Sequence, residues 1–255
     1  MEIRFDDKVV LVTGASTGIG ACLAGAFNEA GARVVLGYNS SAAQATALAD
    51  AMDSTGERVL LVQADLSEPG GAELLVRRAV ERFGRIDIVI NNAGGLVKRE
   101  MHTSDVTDEL YLRIMELNLG SVFRVCRAAI PLMRRQGSGS IINITSLAGR
   151  LGGAGGSVVY ASAKGGLATM TRGLAKELAD SGIRVNAISP GIIQTPFHDR
   201  YTSPELLESI VKTIPLKRAG RPEECIGAAF FLASDAMSGY VTGQTIEVNG
   251  GMYMP

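Results

Sequence analysis

The amino-acid sequence predicts an α/β protein in which helices cover both faces of a doubly wound parallel sheet of about seven strands. Two patterns predict this fold class. Short β-branched runs alternate with longer segments rich in Ala, Leu, Glu and Arg, and several of the runs are apolar without a break. An unbroken apolar strand is expected where helices bury both faces of the sheet. Glycines such as Gly31 and Gly182 follow helix-like segments, where a left-handed cap suits them.

Seven runs are predicted as strands and six segments as helices. The strands are predicted at residues 8–12, 33–38, 58–65, 86–91, 140–145, 183–189 and 244–249. The helices are predicted at residues 18–30, 41–54, 69–83, 107–135, 157–181 and 222–234. The chain shows no internal repeat and no linker, and its 255 residues are 46% hydrophobic, enough to bury one sizeable core. We therefore expect a single domain over residues 1–255.

Charge and hydropathy argue against two classes of partner. The net charge is −1 with scattered basic residues, whereas nucleic acids and anionic membranes attract clustered positive charge. No apolar run approaches the roughly 20 residues that span a bilayer. The stretch MEIRFDDKVVLVTG lacks the basic, apolar and small-residue regions of a signal peptide. We expect a cytoplasmic protein that binds neither nucleic acid nor membrane.

The cysteines and histidines favour neither a metal centre nor a disulfide framework. Cys22, Cys126 and Cys225 are far apart in sequence, with no CxxC pair. His102 and His198 are the only histidines, which leaves little for a metal site or a Ser/His/Asp triad. We expect no metal, and chemistry that does not depend on imidazole.

A glycine-rich turn follows the first predicted strand. Gly14, Gly18 and Gly20 lie in VTGASTGIG, which opens the first predicted helix. Backbone N–H groups and the helix dipole attract phosphate there, and glycine lets the backbone approach closely. The spacing G-x-x-x-G-x-G differs from the commoner G-x-G-x-x-G, and a plain tight turn would also explain it. The strand, turn and helix context favours a dinucleotide pyrophosphate site.

Tyr160 and Lys164 form a candidate acid/base pair. They are four residues apart on a predicted helix, so their side chains share one face. A free tyrosine has a pKa of about 10, and a nearby ammonium favours the phenolate, which makes tyrosine usable near neutral pH. Such pairs are also common on helix surfaces. Ser146, at the end of a predicted strand, strengthens the catalytic interpretation, although a strand-end hydroxyl can also cap a loop.

The order of these motifs resembles the short-chain dehydrogenase/reductase family. The matching stretches are TGASTGIG (13–20), NNAG (91–94), Asn118 in ELNLGSVF, Ser146 in INITS, YASAK (160–164) and NAISPG (186–191). The resemblance covers essentially the whole chain and implies a Rossmann fold. Within the family, GQTIEVNGGMYM near the C-terminus resembles bacterial 3-oxoacyl-acyl-carrier-protein reductases and related carbonyl reductases.

The resemblance implies a role for each matching residue. Ser146 would stabilise the charge on a substrate carbonyl oxygen, and Tyr160 would exchange the proton. Lys164 would also hold the nicotinamide ribose. Asn118 would anchor a water in a proton relay, or else satisfy backbone groups at a helix kink. The implied cofactor residues are Gly14, Ser16, Thr17, Gly18, Ile19, Gly20, Tyr38, Asn39, Ser40, Asp65, Leu66, Asn92, Ala93, Gly94, Tyr160, Lys164, Pro190, Gly191, Ile193 and Thr195.

The sequence after the second strand predicts a preference for NADP(H), with NAD(H) possible. An acid about 20 residues after the glycine turn binds the 2′-hydroxyl of NAD, and LGYNSSAA has none. Asn39, Ser40 and Ser41 could instead donate hydrogen bonds to a 2′-phosphate. Against this, Ser16 and Thr17 stand where many NADP-dependent relatives place a basic residue.

Several functions remain open at this point. Residues 192–218 predict a lid formed by a loop and a short helix, with Phe197, His198 and Tyr201 as candidate contacts. A 3-oxoacyl thioester is one candidate substrate. Lys176 could help to dock an acyl carrier protein, but Pro131 stands about where some such reductases carry an arginine.

A sugar or polyol, as for a glucose 1-dehydrogenase, is the alternative substrate. Two other classes, a catalytically silent nucleotide-binding regulator and a methyltransferase, would not need Tyr160, Lys164 and Ser146 together. The apolar surface of the helices predicted at 107–135 and 157–181, together with the family resemblance, implies a homotetramer.

A second glycine-dense stretch, LGGAGGSVVYASAK, joins Ser146 to Tyr160. Its glycines lie away from the helix start that a pyrophosphate would need. We expect residues 149–156 to be a flexible spacer that leaves room for substrate rather than a second phosphate site.

Overall fold

The computed structural model describes residues 3–153 and 155–255, and its strands form one parallel sheet. The strands are β1 (Val9–Thr13), β2 (Arg33–Tyr38), β3 (Val59–Gln63), β4 (Ile88–Asn91), β5 (Gly139–Ile144), β6 (Ile183–Pro190) and β7 (Thr245–Val248). Their order across the sheet is β3-β2-β1-β4-β5-β6-β7, and every neighbouring pair is parallel. The predicted fold class is confirmed, because this is the doubly wound arrangement of a Rossmann fold.

The helices alternate with the strands along the chain. They are α1 (Gly18–Glu29), α2 (Ala42–Met52), α3 (Gly71–Phe83), α4 (Asp108–Met115), α5 (Ser121–Gln136), α6 (Ala148–Leu151), α7 (Val158–Leu178), α8 (Pro196–Tyr201), α9 (Pro204–Thr213), α10 (Ile226–Ala233) and α11 (Asp235–Ser238). Short 3₁₀ turns cover Thr103–Asp105, Ala179–Ser181 and Pro222–Cys225. The predicted lid segment therefore contains two helices, α8 and α9, where the sequence indicated one.

The helix predicted at 107–135 is interrupted. Thr107 caps α4 by accepting a hydrogen bond from the Leu110 backbone N–H at 3.2 Å. A π-helical turn at Glu116–Gly120 then separates α4 from α5. Such turns mark places where a side chain competes for helix carbonyls, and this one contains Asn118. The predicted segment is therefore helical throughout, with the change of helix type at Asn118, where a kink was one expectation.

The core lies in two layers, one on each face of the sheet. Alternate residues of β1 separate them, since Val9 and Leu11 belong to one layer and Val10 and Val12 to the other. The first layer packs against α3, α5 and α7, and the second against α1 and α10. All five residues of β1 are buried, which explains its unbroken apolar sequence.

The strand order places a crevice beside β1. The chain winds outward through β1, β2 and β3, then returns to β4 on the other side of β1, where Val10 pairs with Ile88. The loops after β1 and β4 consequently leave the sheet in opposite directions at its carboxyl edge. Ligands of open α/β sheets bind at this switch point.

Two further features follow from side-chain placement. Burial raises the pKa of the Cys126 thiol to about 12. Cys22, Cys126 and Cys225 form no disulfide bond within the described residues. Within residues 3–153 and 155–255, no group of three or more His, Cys, Asp or Glu side chains is placed to hold a metal ion. The same residues contain no helix long and apolar enough to cross a bilayer.

Candidate active site

A cavity of about 720 Å³ opens at the carboxyl edge of the sheet, at the switch point. Its wall comes from the loops after β1, β2, β4, β5 and β6, together with α8 and α9. The predicted site residues in this wall are Gly14, Ser16, Thr17, Gly18, Ile19, Asn39, Ser40, Asn92, Ala93, Gly94, Ser146, Tyr160, Lys164, Pro190, Gly191, Ile193 and Thr195. Gly20, Tyr38, Asp65, Leu66 and Asn118 are not among the residues that line it.

The glycine turn after β1 is held close to the loop after β4. Gly14 and Gly18 have φ values of 60° and 58°, which favour glycine. A Cβ on Gly14 would lie 2.9 Å from the Ala93 Cα, and one on Gly20 would collide with the Asn92 side chain. Gly20 therefore serves the packing of α1, which explains why it does not line the cavity.

Hydrogen bonds clip the ends of β1 and β4 together. The Thr13 hydroxyl accepts hydrogen bonds from the backbone N–H groups of Asn92 and Ala93, both at 3.0 Å. The Asn92 amide donates to the carbonyl oxygens of Thr13 at 3.1 Å and Gly14 at 3.0 Å. These hydrogen bonds, the clip between β1 and β4, fix the carbonyl groups of Thr13 and Gly14 at the start of the glycine turn. The N-terminus of α1, at the other end of the turn, lines the cavity.

The N-terminus of α1 has the features of an anion site. Thr17 is its N-cap residue in an extended conformation, and within the described chain its side chain makes no capping hydrogen bond. The first turn, from Gly18, contains no acidic residue. The helix is 12 residues long, so its dipole and free N–H groups favour a bound phosphate.

Ser146, Tyr160 and Lys164 meet on the opposite wall of the cavity, named the catalytic wall after the role that the sequence predicts for these three residues. Ser146 follows β5, and its Oγ accepts a hydrogen bond from the Ala148 backbone N–H at 3.1 Å. The Ser146 hydroxyl is close enough to the Tyr160 hydroxyl to favour the phenolate form of Tyr160. The Lys164 Nζ lies 5.8 Å from the centre of the Tyr160 ring and donates to the Ile144 carbonyl at 2.8 Å. The structure thus brings together the three residues that the sequence singled out.

Burial dominates the electrostatics of this group. It raises the pKa of Tyr160, and the hydrogen bond with Ser146 opposes this effect only in part. It lowers the pKa of Lys164 to about 8, since the side chain is 3% exposed. From the sequence, Lys164 was expected to lower the pKa of Tyr160. In this structure the pKa of Tyr160 is raised instead, because desolvation penalises both charged groups and the Lys164 ammonium donates to the Ile144 carbonyl.

A buried polar network fixes the helix that carries Tyr160 and Lys164. The Asn91 amide donates to the Asn143 side-chain oxygen at 2.9 Å, and the Asn143 amide donates to the Thr171 hydroxyl at 2.9 Å. The chain of bonds runs from β4 through β5 to α7. Because unmade hydrogen bonds are costly in a buried site, this network holds α7 in register with the sheet.

Asn118 lies behind the cavity wall rather than in it. Its amide donates to the Gly95 and Ile114 carbonyl oxygens at 2.8 Å each, and its oxygen accepts from the Gly95 N–H at 3.0 Å. A Cβ on Gly94 would lie 2.7 Å from the Asn118 Oδ1 and 3.1 Å from the Lys164 Nζ. Asn118 therefore positions the loop after β4 against Lys164, and it satisfies backbone groups at the helix interruption, as one reading of the sequence proposed.

The wall after β2 presents neutral polar groups. Asn39 and Ser40 line the cavity together with Ser41. One Asn39 amide N–H donates to the Asp65 carboxylate at 3.0 Å. Asp65 also accepts from the Ser67 side chain, and these hydrogen bonds hold the pKa of Asp65 below its ordinary value, that of Ser67 most strongly. Asp65 thus supports Asn39 from outside the cavity, and part of the donor capacity of Asn39 is already used.

The loop after β6 approaches both the glycine turn and the end of β7. The Gly191 N–H donates to the Val248 carbonyl at 2.9 Å, and a Cβ on Gly191 would lie 2.8 Å from the Asn249 Cα. The Thr195 side chain lies 3.3 Å from where a Gly18 Cβ would be. Pro190, Gly191, Ile193 and Thr195 therefore close the cavity between the glycine turn and the catalytic wall.

The lid contacts the catalytic wall through aromatic rings. Phe197 lies 5.9 Å from the Tyr160 ring, centre to centre, and 5.2 Å from the Tyr201 ring. Phe197 and His198 line the cavity, whereas Tyr201 packs behind Phe197. Burial lowers the pKa of His198. Two of the three predicted lid residues therefore reach the cavity.

The second glycine stretch has two parts. Gly149 lies in α6, where a Cβ would come within 2.8 Å of the Gly165 backbone nitrogen of α7, so it is a packing contact and not a spacer. Gly153 and Gly155 line the cavity. Ala154, within the predicted spacer, lies outside the described residues.

Part of the cavity wall was not predicted from the sequence. The unpredicted residues include Arg99, Leu151, Thr202, Leu206, Ile210 and Met252. Five of them come from α6, the lid and the C-terminal segment, whose positions depend on tertiary packing. Arg99 follows β4 on a long connection, and its place after a central strand was the one available signal.

Comparisons with known proteins agree with this fold and site. A family profile described as enoyl-(acyl carrier protein) reductase matches residues 14–253. A 3-oxoacyl-[acyl-carrier-protein] reductase of Synechocystis is 40% identical over 247 residues, covering 97% of each chain. The corresponding Escherichia coli reductase, FabG, is 38% identical over 252 residues, covering 99% of this chain and 100% of that one.

Solved structures give the same result. A short-chain dehydrogenase/reductase described as glucose/ribitol dehydrogenase, from Brucella melitensis, has a TM-score of 0.90 at 35% identity and covers 100% of both chains. An NADH-dependent reductase A1-R′ responsible for alginate metabolism has a TM-score of 0.88 at 34% identity, covering 98% of each. The fold and site define an oxidoreductase that acts on carbonyl or CH–OH groups. The chain belongs to the short-chain dehydrogenase/reductase family.

Replacing Lys164 with Met tests the burial of its ammonium. An unfolded lysine keeps its proton up to a pKa of 10.5, whereas folded Lys164 loses it near a pKa of about 8. Between these values the unfolded state binds more protons, so the contribution of Lys164 to the free energy of unfolding rises with pH, by about 3 kcal/mol at most. Urea unfolding of both proteins, without cofactor, at pH values from about 7 to 10.5 measures it.

The expected outcome is that wild type gains stability relative to Lys164→Met as the pH rises. Lys176→Met, an exposed change on the same helix, is the matched control. A difference between wild type and Lys164→Met that stays constant across this pH range contradicts the prediction.

Proposed function

We propose that the protein transfers a hydride between a nicotinamide cofactor and a carbonyl or secondary alcohol, with Tyr160 as the proton donor and acceptor. One observation carries this proposal: Ser146 and Tyr160 line the same cavity as the glycine turn, with Lys164 buried beside Tyr160. The cofactor supplies the hydride when bound. The residues of this chain supply binding, orientation and the proton.

The residues present fit such a cofactor. Gly14 and Gly18 line the cavity, and the N-terminus of α1, whose first turn has no acidic residue, offers N–H groups for a pyrophosphate. Lys164 would hold the ribose next to Tyr160. The remaining cofactor contacts proposed are Ser16, Thr17, Ile19, Asn39, Ser40, Asn92, Ala93, Gly94, Pro190, Gly191, Ile193 and Thr195.

Two hydroxyl groups act on the substrate oxygen. Ser146 Oγ accepts a hydrogen bond from Ala148, so its one O–H is the donor that would turn from Tyr160 toward a substrate carbonyl oxygen. The proton of Tyr160 Oη moves to that oxygen during reduction and returns during oxidation. A raised pKa keeps Tyr160 protonated at neutral pH, which suits the role of an acid in reduction. Asn118 acts in this scheme as a positioning residue for the loop beside Lys164.

The substrate class we favour is a 3-oxoacyl thioester or a related carbonyl compound. The curated relatives named above support it, and so does the apolar wall on the substrate side, formed by Leu151, Phe197, Leu206, Ile210 and Met252. A sugar or polyol, suggested by the description of the Brucella structure, would need more polar partners than this wall offers. Pro131, which lies inside α5, weakens the case for docking an acyl carrier protein.

We also propose that residues 1–255 act as one domain that assembles into a homotetramer. Leu112 on α4, Phe123 on α5 and Val158 on α7 are large apolar side chains that are 58%, 50% and 43% exposed. Such patches are typical of subunit interfaces. Light scattering after size exclusion is expected to give about four times the chain mass, and a single species of 26.8 kDa contradicts the proposal.

Tyr160→Phe tests the proposed chemistry. Removing one hydroxyl leaves the ring in place but removes the proton donor, so kcat is expected to fall by roughly 100-fold or more. The assay follows NADPH consumption with acetoacetyl thioesters, diketones, α-keto esters and aldoses, which also identifies the substrate class. A crotonyl thioester tests enoyl reduction, in which the hydride goes to the β-carbon and the proton finally to the α-carbon.

Tyr240→Phe, a change at a fully exposed tyrosine, is the matched control. It is expected to leave turnover unchanged. Near-normal turnover by Tyr160→Phe with the best substrate contradicts the proposed role of Tyr160.

The cofactor preference we propose is NADP(H), with NAD(H) used less well. The support is the neutral wall of Asn39, Ser40 and Ser41, which would not repel a 2′-phosphate. Asn39→Asp places a carboxylate there and is expected to shift the ratio of kcat/KM for NADPH over NADH at least tenfold toward NADH, about 1.4 kcal/mol. Gln44→Glu, an exposed change on α2, adds the same charge outside the cavity as a control. A wild-type preference for NADH contradicts the proposal.

A further inference from the structure

One charged side chain in the cavity has no role in the proposed reaction. Arg99 lies on the connection between β4 and α4 and lines the cavity. Its Nη1 donates to the Gly155 carbonyl oxygen. Its Nε is buried without a hydrogen-bond partner, and no hydrogen bond among the described residues uses Nη2. Most of the donor capacity of this guanidinium is therefore unused.

The charge of Arg99 is also uncompensated. Among the residues that the structure describes, no Asp or Glu lines the cavity, and Arg99 takes part in no ion pair. Its neighbours Lys98 and Glu100 pair with each other. Burial lowers the pKa of Arg99, as expected for a cation without a counterion, although an arginine stays charged at neutral pH. A partly desolvated cation without an anion is costly unless a ligand supplies one.

Arg99 lies on the substrate side of the cavity. Its contacts are with Gly155 and Gly156, on the connection from α6 to α7, and its charge lowers the pKa of His198 on the lid. These segments flank the catalytic wall, because Phe197 packs against Tyr160. The glycine turn and the N-terminus of α1 belong to other loops. An anion at Arg99 would consequently belong to the substrate and not to the cofactor pyrophosphate.

We propose that Arg99 binds an anionic group of the substrate, so that the enzyme selects carbonyl compounds that carry a negative charge beyond an apolar segment. This inference rests on the proposed function and specifies its substrate. A guanidinium binds carboxylate and phosphate through paired N–H donors. The anion has two possible sources: the carboxylate of a small oxo acid, or the phosphate of a phosphopantetheine arm that carries a thioester.

The apolar wall agrees with such a substrate. Leu151, Leu206, Ile210 and Met252 share the cavity with Arg99. They would contact the carbon chain between the reacting carbonyl at Tyr160 and the charge at Arg99. Binding at both ends would orient the carbonyl, which is how a remote charge contributes to specificity.

The test compares charged and neutral forms of one carbon skeleton. Oxo acids of increasing chain length are assayed beside their methyl esters, and acetoacetyl-phosphopantetheine beside acetoacetyl-pantetheine. In Arg99→Met, kcat/KM for the charged partner is expected to fall roughly 10- to 100-fold through KM, with the neutral partner unchanged. Arg99→Lys is expected to restore part of the loss. Lys98→Met, an exposed neighbour outside the cavity wall, is the matched control.

A purely structural role of Arg99 in holding Gly155 gives a different result, because it would affect charged and neutral substrates equally. A loss confined to oxo acids assigns the carboxylate, and a loss confined to the phosphopantetheine thioester assigns the phosphate. Equal losses within a pair, or no loss, overturn the proposal.

A binding measurement separates this inference from the proposed reaction. Hexanoate and hexanamide are titrated calorimetrically into wild type and Arg99→Met, with no turnover required. Hexanoate is expected to bind wild type more tightly than hexanamide, and Arg99→Met is expected to remove the difference. Equal binding of both probes by wild type, together with no charge selectivity in the assays, rejects the role of Arg99 even if Tyr160→Phe confirms the chemistry.

Discussion

The clip between the ends of β1 and β4 is the constraint on which the rest of the site depends. Thr13 and Asn92 join two strands that diverge immediately afterwards, one loop opening α1 and the other leading toward α4. The same contact sets the shape of the phosphate side and the position of Gly94 beside Lys164. A change in the clip would therefore alter cofactor binding and the acid/base group together, although neither Thr13 nor Asn92 donates a proton in the reaction.

The acid/base group is arranged for proton transfer in a poorly solvated place. Lys164 is held by the Ile144 carbonyl, and α7 is held by the network through Asn143 and Thr171. Burial opposes charge on both Tyr160 and Lys164, so the group in the cofactor-free protein resists ionisation. At neutral pH Tyr160 consequently keeps its proton, as the proposed reduction requires.

The sequence predicted the sheet, and it singled out three residues that the fold brings together, because both depend on local patterns. Unbroken apolar strands, the glycine turn and the spacing of Tyr160 and Lys164 are visible without tertiary contacts. The predicted NADP(H) preference and tetramer stay predictions. A kink at Asn118 was one of two expectations for that residue, but its partner Gly95, which lies 23 residues earlier in the chain, could not be predicted. Asp65 was expected to meet the cofactor, but its hydrogen bonds to Asn39 and Ser67 form only in the fold. The role of Gly149 depends likewise on α7, and the lining residues Leu206 and Ile210 depend on how the lid packs.

The close contact of Gly149 with Gly165 has a consequence for how this scaffold can vary. It locks the short helix after Ser146 directly onto the helix that carries Tyr160, so the distance between the two hydroxyls is set by helix packing. Gly153 and Gly156 have close contacts of their own, because a Cβ on Gly153 would meet Ala161 of α7 at 2.9 Å and one on Gly156 would collide with the Glu100 carbonyl. Larger side chains at Gly149 or Gly153 would therefore press on α7 and displace Tyr160, which restricts variation of this connection to side chains that point into the cavity.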